Sequence, residues 1–301
     1  MPLVRSGLGL VRMAAGLGLR LARLSRVPEA LQVGPVGRLS APSRTTAGPS
    51  VAVRSDGADL RIDPESLADA FPHASDWVAV FLPGVGESER VWRRHADQVG
   101  GSYGTRLGSL LGWTPVHLRA RPETSVAESG VCLHALLQQV FESWPGGVRR
   151  VALIGHGSGG LVLRAACGVR SLSEEPWTDL VSDVVLLGTP HLAAERPVAS
   201  TGLGRRLDER LAGLTSDGRA GADVEPLAHA RYVVVTERTT VGRHPLGRVI
   251  GGLLWWRHTV TGRGRWAHQL FPGATTCDVS TRDFSLANHP GVQQLLLDRL
   301  A

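Results

Sequence analysis

The chain has no lysine, one asparagine and three cysteines. All 33 basic residues are therefore arginine; against 27 acidic residues they leave a formal charge of +6 and a pI near 10.4. A chain so poor in both lysine and asparagine reflects a biased genome composition, so its basic pI alone is weak evidence for a nucleic-acid or membrane partner. Acidic residues are interspersed throughout, no long basic run occurs, and no nucleic-acid-binding motif is present. Cys132, Cys167 and Cys277 are far apart, with none of the paired spacings of a disulfide framework or a metal site. Cys132 and Cys167 read as small core residues on apolar helix faces, which implies a reducing, cytoplasmic setting. There is no internal repeat and no cofactor or metal motif.

No apolar run is long enough for a transmembrane span. The nearest approach, residues 3–26, carries Arg5, Arg12, Arg20, Arg23 and Arg26 and no acid. At about 100° per residue these arginines share one narrow sector, opposite Leu10, Leu17, Leu21 and Leu24. Residues 1–27 thus read as a basic amphipathic helix, suited to peripheral contact with an anionic inner-membrane surface or to packing on the domain. Arg12 and four glycines argue against a secretory signal. Residues 28–49, punctuated by Pro28, Pro35, Pro42 and Pro49, read as a linker. Residues 50–301 are long enough for one α/β domain.

Within that domain, Ser50–Arg54 and Asp59–Ile62 are strand candidates joined by Ser55-Asp56-Gly57, a hairpin signal. A short helix is expected over Pro64–Phe71, a buried strand over Trp77–Leu82 and a helix over Glu89–Gln98. Then come a helix at Thr105–Leu111, a strand at Pro115–Leu118 and a long amphipathic helix at Ser125–Trp144. Further strands are expected at Val181–Leu187, Tyr232–Val235 and Ala274–Val279, a small helical cap over 193–228, and a last helix over Gly291–Leu300 behind His289-Pro290. Uninterrupted apolar strands alternating with helices imply a mostly parallel sheet covered on both faces.

The pivotal stretch is Val151-Ala152-Leu153-Ile154-Gly155-His156-Gly157-Ser158-Gly159-Gly160-Leu161-Val162. It reads as strand, sharp turn and helix. In such an elbow the residues two before and two after the tip must be small. A tip at Gly157 is flanked by Gly155 and Gly159, whereas a tip at Ser158 places His156 in the crowded corner. The spacing favours Gly157, and glycine offers no nucleophile.

Five stretches taken in order resemble bacterial α/β-hydrolase-fold proteins of the esterase/lipase type: Leu82 to Glu87, Gly155 to Val162, Leu187 to His191, Gly247 to Leu254, and Asp283 to Pro290. The resemblance runs from about Ser50 to the end of the chain. It implies an α/β-hydrolase fold, with the nucleophile, acid and histidine positions of the catalytic triad falling on Gly157, Gly252 and Asp283. None of these three residues can perform its role. The resemblance also implies an oxyanion corner of backbone N–H groups at Gly84, Val85 and Ser158, with His191 lining the pocket. The reading that follows is a pseudoenzyme that binds an acyl or lipid-like small molecule or a partner, without cofactor or metal.

The alternative is a serine carboxylic-ester hydrolase. It uses Ser158 as nucleophile, His156 or His289 as base, and Asp283 or Asp278 as acid. Against it, Ser158 reads as a turn residue capping the following helix and His289 as a helix-start residue. Trp255, Trp256 and Trp266, interspersed with Arg257, Arg263 and Arg265, suit core packing or an interface. Glu87, Glu89, Arg93 and Arg94 read as a solvated helix face.

Overall fold

The computed structural model describes residues 48–171, 173–189, 224–237 and 270–301. The N-terminal amphipathic segment, most of the linker and of the expected cap, His191, Gly252 and the Trp255–Trp266 cluster lie outside the described residues.

Eight strands form one sheet: β1 (Val51–Ser55), β2 (Ala58–Asp59), β3 (Trp77–Leu82), β4 (Thr114–Ala120), β5 (Arg150–His156), β6 (Val181–Leu187), β7 (Arg231–Glu237) and β8 (Thr275–Val279). Their order is β2-β1-β4-β3-β5-β6-β7-β8. β1 is antiparallel to both β2 and β4; β4, β3, β5, β6, β7 and β8 run parallel. The β1–β2 hairpin turns on Asp56 at φ 49° and Gly57 at φ 81°, the two positive values that an Asp-Gly turn supplies. β2 is shorter than the expected Asp59–Ile62 strand, because pairing ends at Asp59.

The described helices are α1 (Pro64–Ala70), α2 (Ala96–Val99), α3 (Tyr103–Leu111), α4 (Val126–Glu142), α5 (Gly159–Cys167) and α6 (Pro290–Leu300). Local capping explains where several begin. Asp63 accepts the Ser66 N–H ahead of Pro64 at α1, Ser102 caps α3, and Ser125 and Glu128 form a reciprocal capping box on α4. The single helix expected over Glu89–Gln98 is instead a 3-10 turn, Glu89–Arg93, followed by α2. The break falls at Arg94 and His95: His95 adopts a left-handed φ of 57°, and the Arg94 carbonyl accepts from the Asn288 side chain. A contact nearly two hundred residues away in sequence interrupts the local helical pattern.

Alternate residues of each central strand enter opposite cores. Val78, Val80 and Leu82 join Leu133, Leu137 and Val162 from α4 and α5, while Ala79 and Phe81 join Tyr103, Leu107 and Leu296 from α3 and α6. This two-sided burial is why the strands read as unbroken apolar runs. Helices α4 and α5 approach closely at Gly130, where a Cβ would stand 2.5 Å from Ala165 Cβ. Cys132, expected in the core, is exposed on α4, whereas Cys167 is covered, and burial pushes its thiol up to about 12. No helix among the described residues is long and apolar enough to cross a membrane.

At the amino ends of the parallel strands, the fully buried Asp183 of β6 accepts from Arg150 at 3.3 Å and from Arg231 at 2.9 Å, with Arg299 Nε 3.6 Å away. The Arg150 guanidinium itself packs against the rings of both Trp77 and Trp113, 5.1 and 4.9 Å from their centroids. One carboxylate thus joins β5, β6, β7 and α6. Asp183→Ala strands three guanidinium groups, and the expected loss is about 3 kcal/mol of stability, readable as a shifted urea midpoint.

A second prediction concerns acid. His117 on β4 has a buried Nδ1 without a partner, and burial, aided by Arg93, pulls its pKa from 6.5 down to about 4. Between those values the unfolded chain takes up a proton that the fold refuses, so stability falls as pH drops from 6.5 towards 4. His117→Leu should flatten the pH dependence in that window by about 2 kcal/mol, discounted because part of the residue stays exposed. Denaturation midpoints across pH 4–7 check it.

Candidate functional site

β5 ends at His156 and α5 begins at Gly159. Between them Gly157 takes φ 53°, its N–H donates 2.9 Å to the Leu187 carbonyl, and its carbonyl accepts from Gly160. A Cβ on Gly157 would meet nothing within 4 Å. The neighbouring glycines are different in kind. A Cβ on Gly155 would lie 2.6 Å from the Gly160 Cα, one on Gly159 would collide with the Pro83 carbonyl oxygen, and one on Gly160 with the Thr189 hydroxyl. The positive-φ position of the turn is thus open, and the positions around it exist to let three backbone segments touch. Ser158 sits in ordinary helical geometry at φ −65° and ψ −19°.

This is the α/β-hydrolase fold. A mostly parallel eight-stranded sheet carries a strand-turn-helix elbow at the carboxyl end of β5, facing the loop that follows β3. No family model and no curated protein matches the sequence. Among solved structures, esterase B from Lactobacillus rhamnosis is similar at 14% identity, covering 97% of this chain and 92% of that one, with a TM-score of 0.46. A thermophilic esterase from the Planctomycetes species Thermogutta terrifontis is similar at 14% identity, covering 84% and 89%, with a TM-score of 0.41. Scores this low carry no functional argument. The chemistry has to be read from this chain's own side chains.

Residues 83–87 form a turn closed by the Glu87 N–H on the Gly84 carbonyl at 2.8 Å, with Gly86 at φ 83°. A glycine at the third position of such a turn permits that φ. Of the three N–H groups taken from the sequence as an open corner, at Gly84, Val85 and Ser158, the first two have partners. Val85 N–H donates 2.9 Å to Ser158 Oγ, and Gly84 N–H donates 3.0 Å to Glu87 Oε2. The same carboxylate oxygen lies 3.0 Å from His156 Nδ1. Glu87 is accordingly held well below the usual carboxylate range, first by the hydrogen bond with His156 and further by the Gly84 N–H, against a desolvation cost.

Several sequence expectations change here. Glu87 is no solvated helix residue: its carboxylate joins the β3 loop to the elbow. Glu89 likewise pairs with Arg54 at 3.2 Å. Ser158 makes no side-chain capping bond on α5; its hydroxyl is turned to Val85 instead. His289 is not a free base, because Nδ1 accepts from the Gly291 N–H and Nε2 donates 3.0 Å to the Ser280 carbonyl. It is the cap of α6. Asp278 accepts from Thr236 on the neighbouring strand and does not reach that imidazole. Asp283 is exposed and takes part in no hydrogen bond or ion pair among the described residues. His156 lies edge-on to Trp92, with ring centroids 6.2 Å apart. Thr189 packs on Gly160, and the chain beyond it, with His191, lies outside the described residues.

Glu87 was the functional side chain missed in the sequence. The available signal was its spacing: a carboxylate three residues after Gly84 closes a turn and returns to that glycine's N–H, much as a capping box does. A cluster of His, Cys, Asp and Glu able to hold a metal ion is not found among the described residues.

The glycine geometry yields a paired prediction. Gly159→Ala drives a methyl into backbone that cannot move aside, and should cost upwards of about 3 kcal/mol or prevent folding. Gly157→Ser has room and carries only the left-handed backbone penalty, about 1–2 kcal/mol. Thermal melts of the two variants beside the parent chain test the contrast.

Proposed function

We propose that this chain is a non-hydrolytic protein of the α/β-hydrolase fold that binds an acyl or lipid-like molecule. The observation that carries the reading is the elbow itself. Its positive-φ position is a glycine, and the nearest hydroxyl, Ser158, is turned onto the Val85 N–H rather than onto an imidazole. Nucleophilic catalysis needs a hydroxyl hydrogen-bonded to a base that is oriented by a third group. His289 has both nitrogens engaged, Nδ1 in capping α6 and Nε2 on the Ser280 carbonyl, and Asp283 stands at the matched histidine position as an exposed carboxylate. These features support the loss of the triad at Gly157, Gly252 and Asp283. The basic segment 3–26 suits such a protein to an anionic membrane surface.

One observation favours a second reading. His156 Nδ1 is held by Glu87 at 3.0 Å, the relation by which a carboxylate orients a catalytic imidazole. In this reading Ser158, His156 and Glu87 form a displaced triad of a carboxylic-ester hydrolase, and Glu87 replaces Asp283 or Asp278 as the acid.

The deciding experiment is hydrolysis of short and medium acyl chromogenic esters by the parent chain and by Ser158→Ala, with a fluorophosphonate probe as second readout. The expected result is no turnover above background and no labelling of either protein. Turnover and labelling of the parent, both lost in Ser158→Ala, would establish the hydrolase. The triple variant Gly157→Ser, Gly252→Asp, Asp283→His should gain measurable esterase activity; a folded triple variant without it contradicts the positional match.

A further inference from the structure

Resting on the non-hydrolytic reading, we infer that Glu87 is a built-in ligand of the corner between the β3 loop and the elbow, and that a free carboxylate enters by displacing it. Three donors converge there. Gly84 N–H and His156 Nδ1 both meet Glu87 Oε2 at 3.0 Å, and Val85 N–H meets Ser158 Oγ at 2.9 Å. The fold has already selected what those donors accept: one carboxylate and one hydroxyl, both from its own chain.

Gly84 makes the choice specific. It is not among the glycines at positive φ, so its backbone does not demand glycine. A Cβ there would lie 2.9 Å from Glu87 Oε2 and 3.3 Å from Glu87 Cδ. The missing side chain makes space for a carboxylate laid against the backbone. That space serves a carboxylate of any origin with the same reach.

Glu87 is also placed to leave. Its side chain is 35% exposed, against 19% for His156, and it lies in a turn pinned independently by its backbone N–H on Gly84 and by Gly86 N–H on Ala120. Swinging the carboxylate outward breaks two hydrogen bonds and leaves the turn intact. The corner then offers Gly84 N–H and His156 to the incoming carboxylate, with Val85 N–H once Ser158 Oγ turns aside. A carboxylate is the ligand class this selects, and octanoate serves as its probe. Because a tethered group acts at an effective concentration of millimolar or more, the resting protein should bind free carboxylates weakly.

The test titrates sodium octanoate, with octanamide as the uncharged control, into the full chain and its Glu87→Ala variant, followed by calorimetry and by the Gly84 and Val85 amide resonances. The expected result is about a tenfold or greater gain in octanoate affinity in Glu87→Ala, or ~1.4 kcal/mol, with no gain for octanamide. In the parent chain the same two amides should shift at high octanoate. Equal octanoate affinity in two folded proteins overturns the inference, as does an equal gain for octanamide. If Glu87→Ala does not fold, Glu87→Asp, charged but too short to reach the Gly84 N–H, should show the same gain, and its absence overturns the inference equally. Ester turnover on the same samples separates the two proposals. Turnover by the parent with the octanoate gain present ends the non-hydrolytic reading and leaves the displacement standing; no turnover and no gain ends the displacement alone.

Discussion

The amino end of α5 lies directly against the backbone at the carboxyl end of β3 and against the Thr189 side chain beyond β6. Gly159 faces the Pro83 carbonyl, Gly160 faces Thr189, and Gly155 faces Gly160. Close packing of this kind has no slack, since interiors are filled to crystal-like density and a single methyl is felt. The rest of the site follows from that approach. The chain must reverse within Gly157 and Ser158, which requires one residue at positive φ. The loop after β3 must pass within hydrogen-bonding distance of the turn, which brings Val85 to Ser158 and Glu87 to His156.

Backbone donors brought together so tightly need acceptors, and here the chain supplies them. A buried N–H without a partner costs roughly 1–3 kcal/mol, so an empty corner would be an expensive feature to maintain. Ser158 and Glu87 remove that cost. The bonds from Glu87 are charge-assisted, stronger than a neutral pair, and they tie the loop to the elbow through one side chain. In this arrangement the Ser158 hydroxyl accepts from an N–H donor, and the imidazole beside it is engaged through Nδ1. The corner as it stands holds one hydroxyl and one carboxylate oxygen against backbone and imidazole donors.

Stability and recognition are separated along the strands. At their amino ends the buried Asp183 collects Arg150, Arg231 and Arg299, joining three strands and the last helix. At their carboxyl ends lie the elbow, the 83–87 turn and the Leu286–Asn288 turn that leads into α6. In open α/β sheets ligands gather at the carboxyl ends, where loops and helix starts converge. The contacts at the amino ends tie strands and helix together, whereas Glu87 and Ser158 supply the acceptors of the corner at the carboxyl ends.

Much of the architecture was legible because it is local. Unbroken runs such as Val78–Leu82 and Val181–Leu187 mark strands buried on both faces, Asp56-Gly57 marks a hairpin, and Ser125 with Glu128 marks a helix start. Each is decided by residues within a few positions of one another. The spacing of Gly155, Gly157 and Gly159 likewise announces a tight strand-to-helix turn. What the tertiary structure decided involves partners distant in sequence. Asn288 breaks the helix expected through Arg94, His289 spends one nitrogen on capping α6 and the other on the Ser280 carbonyl, and Asp183 draws arginines from three other elements. Glu87 meets an imidazole 69 positions away. Periodicity and spacing report which face of an element is buried and where the chain turns, because those depend on neighbouring residues. They do not report which polar atom meets which across the fold, because that depends on how separately formed elements are finally packed.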